Sequence, residues 1–177
     1  MLVALRPPLR LPRAQPARDN VFGFLAKRFT PRTIFMEIGG AGYQLALRAA
    51  SYVERVYAID ATGRLLKNVR VPCNFRLVLC EGVRIPVPAA SIDVAWSGDF
   101  LDRLHPDDAR EHLAAVRRSL AAGGEYLCSS TAPARLRAAL VEAGFSRVSC
   151  YLGAVRIPWA AAGLFPEKLL RISASRE

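Results

Sequence analysis

The sequence predicts an α/β fold: a single doubly wound, mostly parallel sheet with helices on both faces and an antiparallel last strand. Three observations predict it. Apolar runs rich in β-branched and aromatic residues alternate with helical patterns over nearly the whole chain. Several of these runs are continuous rather than alternating, as strands buried on both faces are. A glycine-rich turn joins the first run to the helix after it. With 177 residues the chain has room for one such domain.

The first 18 residues, MLVALRPPLRLPRAQPAR, carry four arginines, four prolines and no acid. Pro7, Pro8, Pro12 and Pro16 interrupt the amphipathic helix that an organellar presequence needs. Residues 1–20 therefore read as a flexible basic arm and 21–177 as the folded domain. VFGFLAKRF (21–29) predicts a short helix ended by Thr30 and Pro31, and TIFMEIG (33–39) the first strand. After the turn GGAGYQ, residues 45–53 are helical in pattern, 55–60 (RVYAID) form strand two, and 61–69 form a helix with Leu65, Leu66 and Val69 on one side. FRLVLCE (75–81) is strand three, and the proline-rich RIPVPAAS after it cannot be a central strand. IDVAWS (92–97) is strand four.

HPDDAREHLAAVRRSLAAGG predicts a helix with Pro106 at its first turn, Asp107 and Asp108 at the positive end, Arg117 and Arg118 near the far end, and Gly123 as terminator. Leu113, Val116 and Leu120 give it one apolar stripe. Strand five is 125–130, a helix runs from Pro133 to Ala143, and strand six is 146–153. A Pro- and Gly-broken apolar stretch containing Trp159, Leu164 and Phe165 then leads to a final short strand, 171–175.

Lys+Arg of 25 against Asp+Glu of 15 gives a formal charge of +10, and every base except Lys27, Lys67 and Lys168 is arginine. Such a surface attracts anions, so a nucleic acid, a phosphorylated substrate or a membrane surface is a conceivable partner beside simple compositional habit. Cysteines at 73, 80, 128 and 150 have no two-residue spacing and only His105 and His112 accompany them, which argues against zinc. They sit in apolar runs as reduced, buried thiols, consistent with a cytoplasmic protein. No uninterrupted apolar stretch is long enough to span a bilayer.

In a parallel sheet, ligands bind beyond the carboxyl ends of the strands. Three successive tips carry an acid: Glu37, Asp60 and Glu81. After Glu37 come Gly39, Gly40, Ala41 and Gly42, a turn that lets backbone approach a ligand closely. Reading from Gly40, Leu45 stands where the dinucleotide fingerprint needs its third glycine, which argues against a nicotinamide or flavin.

FMEIGGAGYQLALRAA, YAID, VLCEGVRIPVPAASIDVAWS and HLAAVRRSLAAGGEYLC together resemble the class I S-adenosylmethionine-dependent methyltransferases, with their Rossmann-like fold, over about residues 33–150. Ala41 and Tyr43 depart from the family's usual glycines. The resemblance implies S-adenosylmethionine as cofactor. It places Glu37 near the methionyl amino group, with Gly39 and its neighbours Gly40, Ala41 and Gly42 passing beneath. Asp60 and Ala61 fall at the ribose, and Glu81, or the backbone of Gly82 or Val83, at the adenine edge. Ser97 borders the sulfonium and the acceptor. Tyr43, which departs from the family pattern, is expected along the first helical turn, covering the cofactor rather than blocking it.

The reaction implied is in-line methyl transfer to a small or medium organic acceptor. Asp102 or His105 is the candidate base for an acceptor proton; the competing reading makes Asp102 a polar cap and His105-Pro106 a helix-entry turn. Only Thr131-Ala132 separates strand five from Pro133, so the acceptor pocket is expected to be open, with Trp159, Leu164 and Phe165 as a replacement wall or ordinary core. Two alternatives remain: a non-catalytic cofactor-binding or scaffolding domain of the same fold, and a nucleic-acid methyltransferase.

Overall fold

In IFMEI every residue except Glu37 is apolar and every one from Phe35 on is buried, the pattern of a strand covered on both faces. This strand, β1 (Ile34–Ile38), lies inside an eight-stranded sheet of order β3-β2-β1-β4-β5-β8-β6-β7 in the computed structural model, which describes residues 16–40, 43–61, 70–80, 83–164 and 170–177. The other strands are β2 (Arg55–Asp60), β3 (Phe75–Leu79), β4 (Ile92–Ser97), β5 (Leu120–Cys128), β6 (Ser146–Leu152), β7 (Val155–Ile157) and β8 (Leu170–Ser175). β1 to β5 are mutually parallel, and β8 lies antiparallel between β5 and β6. The mostly parallel sheet with an antiparallel last strand is the one the sequence predicts.

Helices α1 (Pro16–Ala26) and α2 (Gln44–Ala49) cover one face through Phe22, Leu25, Ala46 and Ala49, packed on Phe35, Val56 and Val94. Helices α3 (Pro106–Ser119) and α4 (Pro133–Glu142) cover the other, through Leu113, Val116, Leu136 and Leu140 against Met36, Ala95 and Tyr126. α1 begins at Pro16, inside the segment expected to be a loose arm, because a proline in the first turn favours a helix start. Residues 1–15 of that arm, and 62–69 of the expected helix after β2, lie outside the described residues.

Two expectations change. Gly123 does not end α3: the helix stops at Ser119, whose hydroxyl donates back to the carbonyls of Ala115 and Val116, and Leu120 is already extended. Gly123, at φ +75, and Gly124 instead belong to β5, at an irregularity in its register with β4. A Cβ on Gly124 would come within 2.8 Å of the Ile92 carbonyl, so the close approach of β4 requires glycine. The second change is β7, an edge strand hairpinned onto β6 within the stretch expected to be irregular. Cys128 and Cys150 are buried as expected, but Cys73 is exposed and Cys80 half-buried. Among the described residues, no helix is long and apolar enough to cross a membrane.

One ion pair ties α1 to the middle of the sheet. Arg28 Nε donates to Glu125 Oε2 at 2.5 Å with both side chains largely buried, while Arg28 also reaches the Phe24 carbonyl and Ser173 donates to the other carboxylate oxygen. Removing one charge leaves the other desolvated without its partner. Glu125→Gln is therefore expected to lower stability by about 2 kcal/mol in urea unfolding; an unchanged midpoint would show the pair to be dispensable.

Candidate active site

Parallel strands bring β1, β2 and β4 to a common carboxyl edge: Ile38 is level with Ile59 on one side and Ser97 on the other. Gly39 leaves β1 at φ +67, donating its amide to the Ile59 carbonyl at 2.9 Å. A side chain there would be strained by the torsion and would meet the Phe100 ring at 2.8 Å. At Gly40 a Cβ would fall 2.2 Å from Glu37 Oε1. Glu37 is thus tucked beneath the turn, only 5% exposed, and its Oε2 accepts the Ala46 amide of α2 at 2.8 Å. The acid at the first strand tip is the brace of the glycine turn, joining β1 to the helix beyond it.

The second acid is braced by a residue whose role the sequence did not reveal. Tyr43 occupies the left-handed region at φ 55, which disfavours a non-glycine residue by about 1–2 kcal/mol, yet it is buried, with its ring edge-on to Phe75. Its hydroxyl donates to Asp60 Oδ2, and Asp60 Oδ1 accepts the Ala61 amide at 2.8 Å. The expectation that Tyr43 lies over the cofactor is corrected: the ring packs into the α1–α2 side of the core, and only the hydroxyl reaches the site. A tyrosine in a glycine position, seventeen residues before a strand-tip acid, is the signal that could have found this bond.

Ser97 is fully buried, and its hydroxyl is bonded to that of Tyr126 at 2.5 Å. A buried phenol needs a polar partner, and burial also pushes its pKa well above normal. The Ser97 side chain is thereby turned into the core, leaving only its backbone at the tip of β4.

Asp102 and His105 each have another job. The Asp102 carboxylate accepts the Ser130 hydroxyl at 2.6 Å, the Thr131 amide at 2.6 Å and the Thr131 hydroxyl at 2.9 Å, a clasp joining the turn after β4 to the turn after β5. His105 caps α3: its Nδ1 accepts the Asp107 amide at 3.5 Å, and its ring is exposed. His105 thus takes the helix-entry role of the competing reading, whereas Asp102 caps none of the described helices and instead joins two turns. Val83 is half-buried, whereas Ala41, Gly42, Glu81 and Gly82 lie outside the described residues. Of the expected wall, Trp159 packs against Cys150 and Ala162, Leu164 is 81% exposed, and Phe165 also lies outside the described residues.

Phe100, the ring over Gly39, packs with its centroid 5.0 Å from that of His112, the two planes tilted by 53°; His112 is a buried residue of α3 that sequence reasoning did not assign. Neither His112 ring nitrogen has a well-formed hydrogen bond among the described residues. Burial lowers its pKa to about 4, outweighing the upward pull of the nearby Val83 backbone.

Two strand-tip acids thus flank a glycine turn at the carboxyl edge of a doubly wound α/β sheet, and the comparisons with known proteins say which family this is. The model of a family described as "Methyltransferase domain" matches residues 36–128, and the chain belongs to that family. The fold is that of class I S-adenosylmethionine-dependent methyltransferases, whose cofactor is S-adenosylmethionine. A search of curated proteins finds no match.

Among solved structures, an S-adenosylmethionine-dependent methyltransferase from Mesorhizobium loti is similar at a TM-score of 0.67 and 15% identity, over 90% of this chain and 98% of that one. The [4+2]-cyclase SpnF also gives a TM-score of 0.67, at 14% identity over 89% and 80%. A chain from the complex between the Haloferax volcanii Trm112 methyltransferase activator and its methyltransferase partner gives 0.63, at 14% identity over 90% and 95%. At these identities the likeness is one of fold.

Gly40→Ala is expected to displace the Glu37 carboxylate, costing about 1–3 kcal/mol and accelerating hydrogen exchange at the Ala46 amide; normal protection there would contradict the brace. The unfolded chain protonates His112 near pH 6.5, but the folded chain resists until about pH 4, so the stability it contributes is complete above 6.5 and is lost as pH falls toward 4. The loss approaches about 3 kcal/mol. Across that interval the urea midpoint of the wild type should fall more steeply with decreasing pH than that of His112→Phe; parallel curves would contradict the buried neutral imidazole.

Proposed function

We propose that this chain transfers a methyl group from S-adenosylmethionine to a small or medium organic acceptor by direct in-line displacement. The observation that carries the reading is the pair of braced acids, Glu37 under the Gly39–Gly40 turn and Asp60 held by Tyr43, on adjacent strands of one edge. Bound cofactor supplies an electrophilic methyl on a sulfonium leaving group, so the chain's task is binding, orientation and exclusion of water, with proximity contributing about 7–11 kcal/mol.

Asp60, fixed in one orientation by Tyr43 and half-buried at the tip of β2, accepts the ribose hydroxyls. The carboxylate of Glu37 sets the negative potential for the methionyl ammonium, and Gly39 and Gly40 let the backbone pass close to it. Ala61, whose amide is bonded to Asp60, shares the ribose position; the family resemblance assigns Ala41 and Gly42 to the methionyl turn and Glu81, Gly82 or Val83 to the adenine edge. Because the Asp102 carboxylate is committed to Ser130 and Thr131, and His105 to capping α3, the arrangement favours an acceptor whose attacking atom already carries an available lone pair. A proton could go to His105 Nδ1 only by displacing its cap bond, and the Asp102 carboxylate already accepts three hydrogen bonds.

A second reading, a cofactor-binding domain without methyl transfer, is favoured by the engagement of both candidate bases, Asp102 with Ser130 and Thr131 and His105 with the start of α3. The cyclase with this fold shows that the architecture does not fix the reaction.

Calorimetry with S-adenosylhomocysteine tests the assignment. One equivalent should bind, and Asp60→Ala should weaken binding at least about tenfold, the value of one charged hydrogen bond. Absence of binding to the wild type, or indifference to the substitution, would overturn it; binding without methylated product across a broad acceptor panel would favour the second reading.

A further inference from the structure

At the edge of the sheet away from the strand-tip acids, α4, β6 and the β6–β7 hairpin line an open recess of about 520 Å³. Its apolar lining comes from Val148, Cys150, Ile157, Pro158 and Trp159, and its polar lining from Ser149 and the two basic residues Arg137 of α4 and Arg156 of β7. Among the described residues no acid lines it, and neither guanidinium has a carboxylate partner. Two exposed, uncompensated cations at the mouth of an apolar recess form a place where an anion gains energy that water alone does not provide.

The cations are also positioned. Trp159 is fixed by donation from its indole nitrogen to the Val148 carbonyl at 3.2 Å, and the Arg137 guanidinium lies over that indole at 5.2 Å. A strand carbonyl thus holds the ring, and the ring holds the guanidinium, which lowers the ordering cost of gripping a ligand. Arg156 is level with Tyr151, so it leaves the edge strand on the face opposite Ile157 and reaches the recess around the open edge of the sheet.

Cys150 and Ile157 lie on the same cross-strand row as Ile172, Cys128, Ser97 and Ile38. Four strand spacings separate β1 from β6, about 19 Å, so the recess is distinct from the edge that holds Glu37 and Asp60.

The geometry points to a second binding site, formed by Arg137, Arg156 and Trp159, for an organic anion with a flat apolar body, such as an aromatic carboxylate. The carboxylate is gripped by the two guanidiniums, and the ring enters the recess beside Ile157, Pro158 and the indole. The site does not depend on the methyl-transfer reading, because none of its residues belongs to the cofactor edge.

Calorimetric titration of the full chain with 2-naphthoate tests the proposal, with inorganic phosphate and uncharged 2-naphthalenemethanol as separate arms. One equivalent of naphthoate should bind, more tightly than either comparison compound and more weakly as salt rises. The double variant R137Q/R156Q should weaken it by at least about tenfold, a single charged contact or more. Because neither guanidinium has an acid partner, the thermal midpoint of that variant should stay near wild type, and W159F, which keeps an aromatic face, should bind with intermediate affinity. Saturating S-adenosylhomocysteine should leave naphthoate binding unchanged. The proposal is overturned by no naphthoate binding, by equal binding of the alcohol, by a double variant that binds as tightly as wild type, or by displacement with S-adenosylhomocysteine.

Discussion

The carboxylate of Glu37, held under a turn that only glycine can make, is the constraint on which the cofactor edge depends. Its partner is the Ala46 amide, so one side chain fixes the end of β1 and the first turn of α2 together. A buried acid would be costly without such a donor. With it, Gly39 and Gly40 are held in a conformation that exposes backbone at the rim, and Tyr43 is delivered in a left-handed torsion from which its hydroxyl reaches Asp60. The strain at Tyr43 is offset by burial of its ring on Phe75 and by that bond. Turn, brace and second acid therefore act as one unit rather than as separate residues.

The other edge features show how polar groups near the site are used for assembly. Asp102 links the turns after β4 and β5, and the bond between Ser97 and Tyr126 runs between the same two strands deeper in the sheet. Together they clamp the adjoining strands at two depths. This gives the short connection after β5 a rigid start into α4, although only Thr131 and Ala132 separate Ser130 from the helix.

The fold was legible because its signals are local. Continuous apolar runs such as IFMEI and IDVAWS, punctuated by glycine and proline, identify strands covered on both faces, and Pro106, Asp107 and Asp108 announce α3. The strand-tip acids Glu37 and Asp60 were legible for the same reason, since each follows directly from where its strand ends. What escaped was decided by contacts between distant residues. Tyr43 to Asp60 spans seventeen positions, and Asp102 to Ser130 and Ser97 to Tyr126 span more, so no local period marks them. β7 is too short for its pattern to stand out from the prolines and glycines around it. The recess beside Trp159 depends on α4, β6 and β7 meeting, which composition does not encode.

The passage from α3 into β5 has a consequence of its own. Ser119 ends the helix and Leu120 begins the strand, with no linker between them. Strand side chains alternate with a period of two, so one added residue at this junction would exchange the faces taken by Tyr126 and Leu127 unless it were absorbed upstream. The irregular pairing around Gly123 and Gly124 is the only stretch of β5 able to take up such slack, which makes this pair of glycines the tolerance of the sheet's centre to changes in chain length.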